Sequence, residues 1–375
     1  MARVLVVGGG IAGFALLRAC SAAGVDAQLV DRRPAPPHEG LGLNLPGNGV
    51  RALVALGVQG LDEVGEPVRR REYRSGTGRL VFAVDETAFW ADGPGSLCVR
   101  RSDVLRLLRA GVQGDQVRWG VPVTAVSTEA DAVRVGLGDG RTESYDLVVG
   151  ADGVDSTVRA ATLGGAARSS VLSAASWRFM TVNPGVDCWT AWTSADGIVL
   201  LIPVTGGQVY GYASATRGGP VDADPAWLAT TFGGFPEPAR SAVLAAVAEP
   251  TSLYHSPVAE VRIPRWSMGR TVLVGDAAHA TAPVWAQGAA LAAEDALVLA
   301  ELLATSDDWA SVGAEFERRR RPRVDHVQLM TDRLSKAAGL PIWLRDLVLP
   351  VLGPRSYRET YTPLREPVGA TRAAG

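Results

Sequence analysis

The chain opens on an uninterrupted apolar run, Val4-Leu-Val-Val7, that breaks at three consecutive glycines. Such a run is what a strand buried on both faces of a parallel sheet requires. An Ala/Leu-rich stretch to about Ala23 predicts a helix, and a second apolar strand, Ala27 to Val30, ends at Asp31. Together they make a β-α-β unit. RREYRSGTGRLVFAVD then alternates about Ser75-Gly-Thr-Gly78 and predicts a hairpin. RRSDVLRLLRAG, from Arg100, predicts a helix. Residues 117–150 alternate like an antiparallel meander and close on a buried strand, Leu147 to Val149.

The pattern changes near residues 171–215. SWRFMTV, CWTAWTS, GIVLLIPV and QVYGYASA are short alternating segments, broken by Gly and Pro and rich in Trp and Tyr. They predict an antiparallel sheet with one face on a core or a ligand. Tyr210 and Tyr212 share a face by the two-residue period, and with Arg178 and Trp192 they are the pocket candidates of this sheet. Near Arg262 the chain returns to a buried strand, Thr271 to Val274. Helices follow, including the stretch Arg318 to Arg323 and the apolar segment PIWLRDLVLPVLG. The expected architecture is α/β: a Rossmann-like domain interleaved with an antiparallel-sheet domain, then C-terminal helices.

Composition narrows the class. At 375 residues the chain has room for about two domains. It is 47% hydrophobic and 20% charged, with net charge −2, which gives no sign of a nucleic-acid partner. Lys336 is the only lysine. Cys20, Cys98 and Cys188 are odd in number and lie in no metal-ligand spacing, which fits a reducing compartment and no metal. No uncharged apolar run reaches the length of a membrane span, and the first strand starts too early to leave room for a signal peptide. A cytoplasmic protein is expected.

Three motifs carry chemistry. Gly8-x-Gly10-x-x-Gly13 lies between a strand and a helix, with Asp31 at the distance a dinucleotide fingerprint expects. Gly8 makes the tight turn, Gly10 admits a pyrophosphate to the backbone and Gly13 lets the helix pack on the sheet. The helix N-terminus offers amides and a positive dipole end, and Asp31 can accept both ribose hydroxyls. In DLVVGADGVDSTVR a second strand ends at Asp152-Gly153; taken alone, that Asp reads equally as a helix cap. The third motif, GDAAHATAPVWAQG, puts Asp276 at a strand end and follows it with residues too small for a core. His279 reads as a structural hydrogen-bonding group, His255 as part of a solvated loop, and Arg318 to Arg321 as a solvated or domain-packing helix face.

GxGxxG, ADGxxSxVR and GDAAHxxxP, in that order, together resemble the FAD-dependent aromatic hydroxylases of the para-hydroxybenzoate hydroxylase type. RRSDVL and ERRRRPRV agree. The resemblance implies non-covalent FAD held by Gly8, Gly10, Gly13, Asp31, Arg101, Asp152, Gly275, Asp276, Pro283, Gln287 and Gly288. In such proteins Asp276 bonds a ribityl hydroxyl. Pro283 and its loop lie on the isoalloxazine, and amides after Gly288 face its pyrimidine end. It implies an FAD-binding domain of residues 1–67, 99–168 and 265–335, a substrate domain of 68–98 and 169–264, and a helical segment 336–375. It also implies that NAD(P)H reduces the flavin and that O2 forms a C4a-hydroperoxide. That species then hydroxylates or epoxidises an electron-rich, aromatic small molecule in a pocket including Pro283 and Trp285. A flavin reductase or dehydrogenase and a non-catalytic flavoprotein are the alternatives. Where many members read P-x-x-G-Q-G, this chain has Trp285 and Ala286, and Ala disfavours the positive φ that Gly supplies.

Overall fold

The computed structural model describes residues 3–36, 40–164, 168–170, 173–216, 219–338 and 342–368. Val4, Leu5 and Val6 are fully buried because their strand lies inside a six-stranded sheet. Arg3–Val7 pairs in parallel with Leu147–Gly150 on one side and Asp26–Asp31 on the other, and Thr271–Leu273 joins beyond 147–150, also in parallel. The three apolar runs read as buried strands are thus neighbours. Being parallel, they deliver Gly8, Asp152 and Asp276 to the same sheet edge, where ligands of open α/β sheets bind. The helices Ile11–Ala22 and Gly288–Thr305 pack on each other against this sheet. Both are apolar nearly all round because both are enclosed.

A seven-stranded sheet forms the second layer, in the spatial order 254–257, 175–182, 208–215, 197–204, 189–193, 70–75 and 80–85. Its pairs are antiparallel except that Trp189–Thr193 runs parallel to Arg70–Ser75. The predicted hairpin therefore supplies the edge of a sheet whose other strands come much later in the chain. One face packs Trp177, Phe179, Trp192, Val199 and Leu201 against the helices Ala226–Phe232 and Ala239–Ala248. The opposite face looks toward the parallel sheet.

Two long helices complete the chain. Trp309–Ala338 packs along Gly288–Thr305. Ile342–Tyr361, with Pro350 and Pro354 inside it, lies on the hairpin strand Leu80–Asp85. Gly353 sets that contact: a Cβ there would stand 2.4 Å from the Phe82 ring. Among the described residues no helix is long and apolar enough to cross a membrane.

Candidate active site

Between the two sheets lies one cavity of about 2080 Å3. That is more than the roughly 300–1,000 Å3 of a site for one drug-sized ligand, and it suits a large cofactor with a substrate beside it. Its border includes Gly8, Gly10, Asp31, Arg101, Asp152, Asp276, Pro283, Trp285 and Gly288 from the motifs. Arg178, Tyr210 and Tyr212 border it from the large sheet. Residues far apart in sequence are brought to one space.

Backbone forms the motif side. Gly8 has φ +110°, and a Cβ on it would lie 2.5 Å from the Ala151 carbonyl oxygen, so the first and second motif turns touch. A Cβ on Gly13 would lie 1.9 Å from the Gly8 oxygen. Gly13 accordingly works by helix packing and does not border the cavity. Gly275 likewise stands behind it, at φ +57° against Ala12. Around Gly10 no atom lies within 4 Å of an added Cβ. The helix Ile11–Ala22 has no side-chain cap and no acid in its first turn, and the same is true of Gly288–Thr305. Both N-termini border the cavity with their positive dipole ends and uncapped amides, which is how a protein binds anionic groups through backbone.

The three acids divide their work. The Asp276 carboxylate is exposed to the cavity. Asp152 accepts hydrogen bonds from the amides of Thr157 and Val158 at 2.7 and 3.2 Å and from Ser156 Oγ at 2.5 Å. The capping reading is therefore correct for its side chain, while the residue also borders the cavity. Asp31 differs from expectation. Its Oδ1 accepts Arg33 N–H (2.7 Å) and Nε–H (2.9 Å), and its Oδ2 accepts Gly9 N–H (2.6 Å) and Arg33 Nη2–H (2.8 Å). Four bonds fill a carboxylate. Asp31 therefore acts as a pair with Arg33, which itself fronts the cavity. Burial pushes the Asp31 carboxyl up, but the bonds and charge of Arg33 and the bond from Gly9 outweigh it and hold it below its ordinary range.

Behind the third motif a buried ionic network fixes the loop. His279 Nε2 lies 2.7 Å from Asp295 Oδ2, which also accepts the Gly275 amide at 2.9 Å. Arg320 donates to Asp295 Oδ1 at 2.8 Å and to Glu294 at 3.0 Å, and Arg323 completes the set on Glu294. Burial pushes the Asp295 carboxyl up, but the charges of His279 and Arg320 and their hydrogen bonds leave it below the usual carboxylate range. His279 is structural, and Arg320 ties the helix Trp309–Ala338 to Gly288–Thr305 within one domain. Gln287 is a correction. Its side chain is buried and bonded to Asn48 in both directions, at 3.0 and 3.1 Å, and does not border the cavity. Ala286 adopts φ 52°, ψ 32°, the left-handed conformation, and is the only non-glycine residue with positive φ among those described. The loop thus takes the shape a glycine would give it, at a cost of about 1–2 kcal/mol. Trp285 borders the cavity while packing edge-on to Tyr361, whose hydroxyl donates to the Trp285 carbonyl at 2.6 Å.

Side chains form the opposite side. Arg178 faces Tyr212 across the strand pair, and Tyr210 lies one step along. Burial pushes the Tyr210 phenol up to about 12, with Arg178 pulling weakly the other way. Trp192 is the second correction: it alternates to the far face, 3% exposed, in the core beneath the two covering helices. His255 is a third. It lies in the strand Tyr254–Pro257, with its ring centroid 4.9 Å from that of Trp177, rather than in a solvated loop. Two residues at the cavity went unread in the sequence. Asn44, on the strand Gly42–Leu45, is buried with both amide atoms unpartnered. Arg71 is 1% exposed and ion-paired to Glu86 under Trp189, Tyr357 and Tyr361. Neither falls in a motif. Among the described residues no cluster could hold a metal ion.

These features fit FAD. Two uncapped helix ends suit a diphosphate and an electron-rich ring edge, Gly10 leaves backbone open, Asp276 reaches the cavity, and Asn44 has both a donor and an acceptor to offer. The sequence matches the model of the FAD binding domain family over residues 1–329, and the chain belongs to that family. It is a FAD-dependent enzyme of the monooxygenase class, as its relatives are. Salicylate hydroxylase of Pseudomonas putida is 31% identical, covering 94% of this chain and 88% of the relative. 3-Amino-4-hydroxybenzoate 2-monooxygenase of Streptomyces cremeus is 30% identical, covering 90% and 88%. Klebsiella pneumoniae HpxO complexed with FAD and uric acid has the same fold, with TM-score 0.86 and 24% identity over 98% of both chains.

Proposed function

We propose that this enzyme uses NAD(P)H and O2 to hydroxylate or epoxidise an electron-rich aromatic molecule held between the cofactor and the seven-stranded sheet. The observation that carries this reading is the shared cavity, bordered on one side by the three motif turns and on the other by Arg178, Tyr210 and Tyr212. Residues 68–98 and 169–264 act as the substrate domain. Bound FAD would supply the redox chemistry, by which NAD(P)H furnishes two electrons, one atom of O2 enters the ring and the other leaves as water.

The protein's part is binding, orientation and electrostatics. The N-terminus of Ile11–Ala22 holds the diphosphate and Asp276 a ribityl hydroxyl. The N-terminus of Gly288–Thr305 favours negative charge at the flavin edge beside it. On the substrate side, Tyr210 stays protonated through neutral pH, so it orients a ring oxygen by donating a hydrogen bond. Arg178 favours the phenolate form of such a ring, which is the more electron-rich one. Trp285 and the apolar strands exclude water.

The test is NAD(P)H oxidation with oxygen uptake and product analysis over a panel of phenols. Arg178→Ala and Tyr210→Phe should raise KM or the share of NAD(P)H oxidised without product, at unchanged FAD content. NAD(P)H oxidation without oxygen uptake would overturn the monooxygenase reading in favour of a reductase.

A further inference from the structure

The cavity face of the seven-stranded sheet is polar at one end and apolar at the other. The three strands from 254–257 to 208–215 present Ser256, Arg178, Tyr210, Tyr212 and Ser214, with Met180 the large aliphatic side chain among them. The next two strands present Leu200, Ile198 and Ile202, then Trp189 and Ala191, with Thr193 the polar residue at the strand end. The hairpin continues with Tyr73 and Phe82, stacked with centroids 4.2 Å apart. The charges that border this half are paired within the protein, Arg71 with Glu86, Arg74 with Glu72 and Arg355 with Glu359. The apolar half does not stop at the sheet. Val348, Leu349 and Leu352 of the helix Ile342–Tyr361 border the same cavity across from it, and Leu352 is 49% exposed.

Four strand spacings separate 208–215 from 80–85, about 19 Å at the ordinary spacing. A single ring beside Tyr210 cannot cover that length. Leaving the rest to water would expose a broad apolar wall inside the site whose function is to exclude water.

Building on the reading of this face as the substrate wall, we propose that the substrate is amphiphilic: an aromatic head bearing hydrogen-bonding groups, joined to an aliphatic tail. The head lies at Arg178, Tyr210 and Tyr212. The tail runs along Leu200 and Trp189 toward Phe82, under the roof of Leu349 and Leu352. The length of the arm makes tail length the specificity-determining property, and Leu349, reaching from the roof, is the residue that sets it.

The test uses FAD-loaded enzyme and the methyl, butyl and heptyl esters of 4-hydroxybenzoate, with binding read from the flavin absorbance. Kd should fall about three- to fourfold per methylene, the effect of burying each one, so that heptyl exceeds methyl by at least about a hundredfold. Leu349→Trp, which fills the arm, should abolish the advantage of the heptyl ester and leave the methyl ester within about twofold. Ile198→Trp reads the same arm from the sheet side, with FAD content reporting that either variant is folded. A Kd independent of chain length in the wild type, or a full chain-length dependence in both variants, overturns the proposal. NADH oxidation is scored separately. Chain-length-dependent binding without stimulated oxidation refutes the monooxygenase reading and upholds the tail site, whereas stimulation by all esters with a flat Kd does the reverse.

Discussion

The two sides of the cavity are built from different material. The motif side is main chain: glycine turns that touch one another, two uncapped helix N-termini and a loop of small residues. The sheet side is side chain, with every second residue of seven strands pointing inward. A main-chain wall must keep its shape to fractions of an ångström, since one methyl group at Gly13 collides with the Gly8 carbonyl. A side-chain wall can exchange residues while the strands beneath stay put. One cofactor and a changeable substrate call for that division.

If the main-chain wall depends on rigid support, its largest loss should come from behind it. Asp295→Ala leaves Arg320 and His279 facing each other without their shared acid, and should cost about 3–5 kcal/mol in chemical unfolding. The sign with pH is set by the depressed Asp295 carboxyl. The stability it contributes is complete above about pH 4, the unfolded value, and is lost as pH falls from there through the folded one. The variant should lack that component of acid destabilisation. Gly13→Ala tests the contact itself, and should lower stability by about 3 kcal/mol, the upper end of overpacking, with little FAD retained on purification. Asp276→Ala touches a single polar group and should weaken FAD binding by about 1.5–3 kcal/mol, the scale of a hydrogen bond to a charged group. Unchanged affinity would remove Asp276 from the cofactor's wall. Smallest is Ala286→Gly. It relieves the left-handed backbone but gives the unfolded chain more freedom, for a net gain of about 0.5–1 kcal/mol. A melting temperature that falls instead would show that the loop needs the alanine methyl.

The same division explains what the sequence disclosed. Gly8, Gly13, Asp152 and Asp276 were legible because turns and close approaches restrict residue type at fixed spacings. The sheet was legible as a sheet, but its inward register was only partly so. Period two places Tyr210 and Tyr212 on one face, whereas aromatic character alone points to Trp192, and Trp189 is the tryptophan of that strand that faces the cavity. Asp31 matches its motif, yet its lone pairs are filled by Arg33, two residues on, and by the Gly9 amide. Asn44 and Arg71 had no pattern to announce them, because an isolated polar residue in a strand gains its meaning only from what packs around it. For Gln287, motif position was a poor guide to where its amide points.

One consequence of the connectivity concerns the order in which the chain is made. The hairpin of Arg70–Ser75 and Leu80–Asp85 finds its next strand, Trp189–Thr193, only after the whole second motif has been synthesised. The parallel sheet likewise waits for Thr271–Leu273. Until then the growing chain carries unpaired strand edges, the surfaces on which nascent proteins associate with one another. Contacts so distant along the chain also delay folding, since their loops must close before they contribute stability. An N-terminal fragment ending near residue 180, though it holds the dinucleotide fingerprint intact, is therefore a species for chaperones to shield rather than an independent nucleotide-binding module.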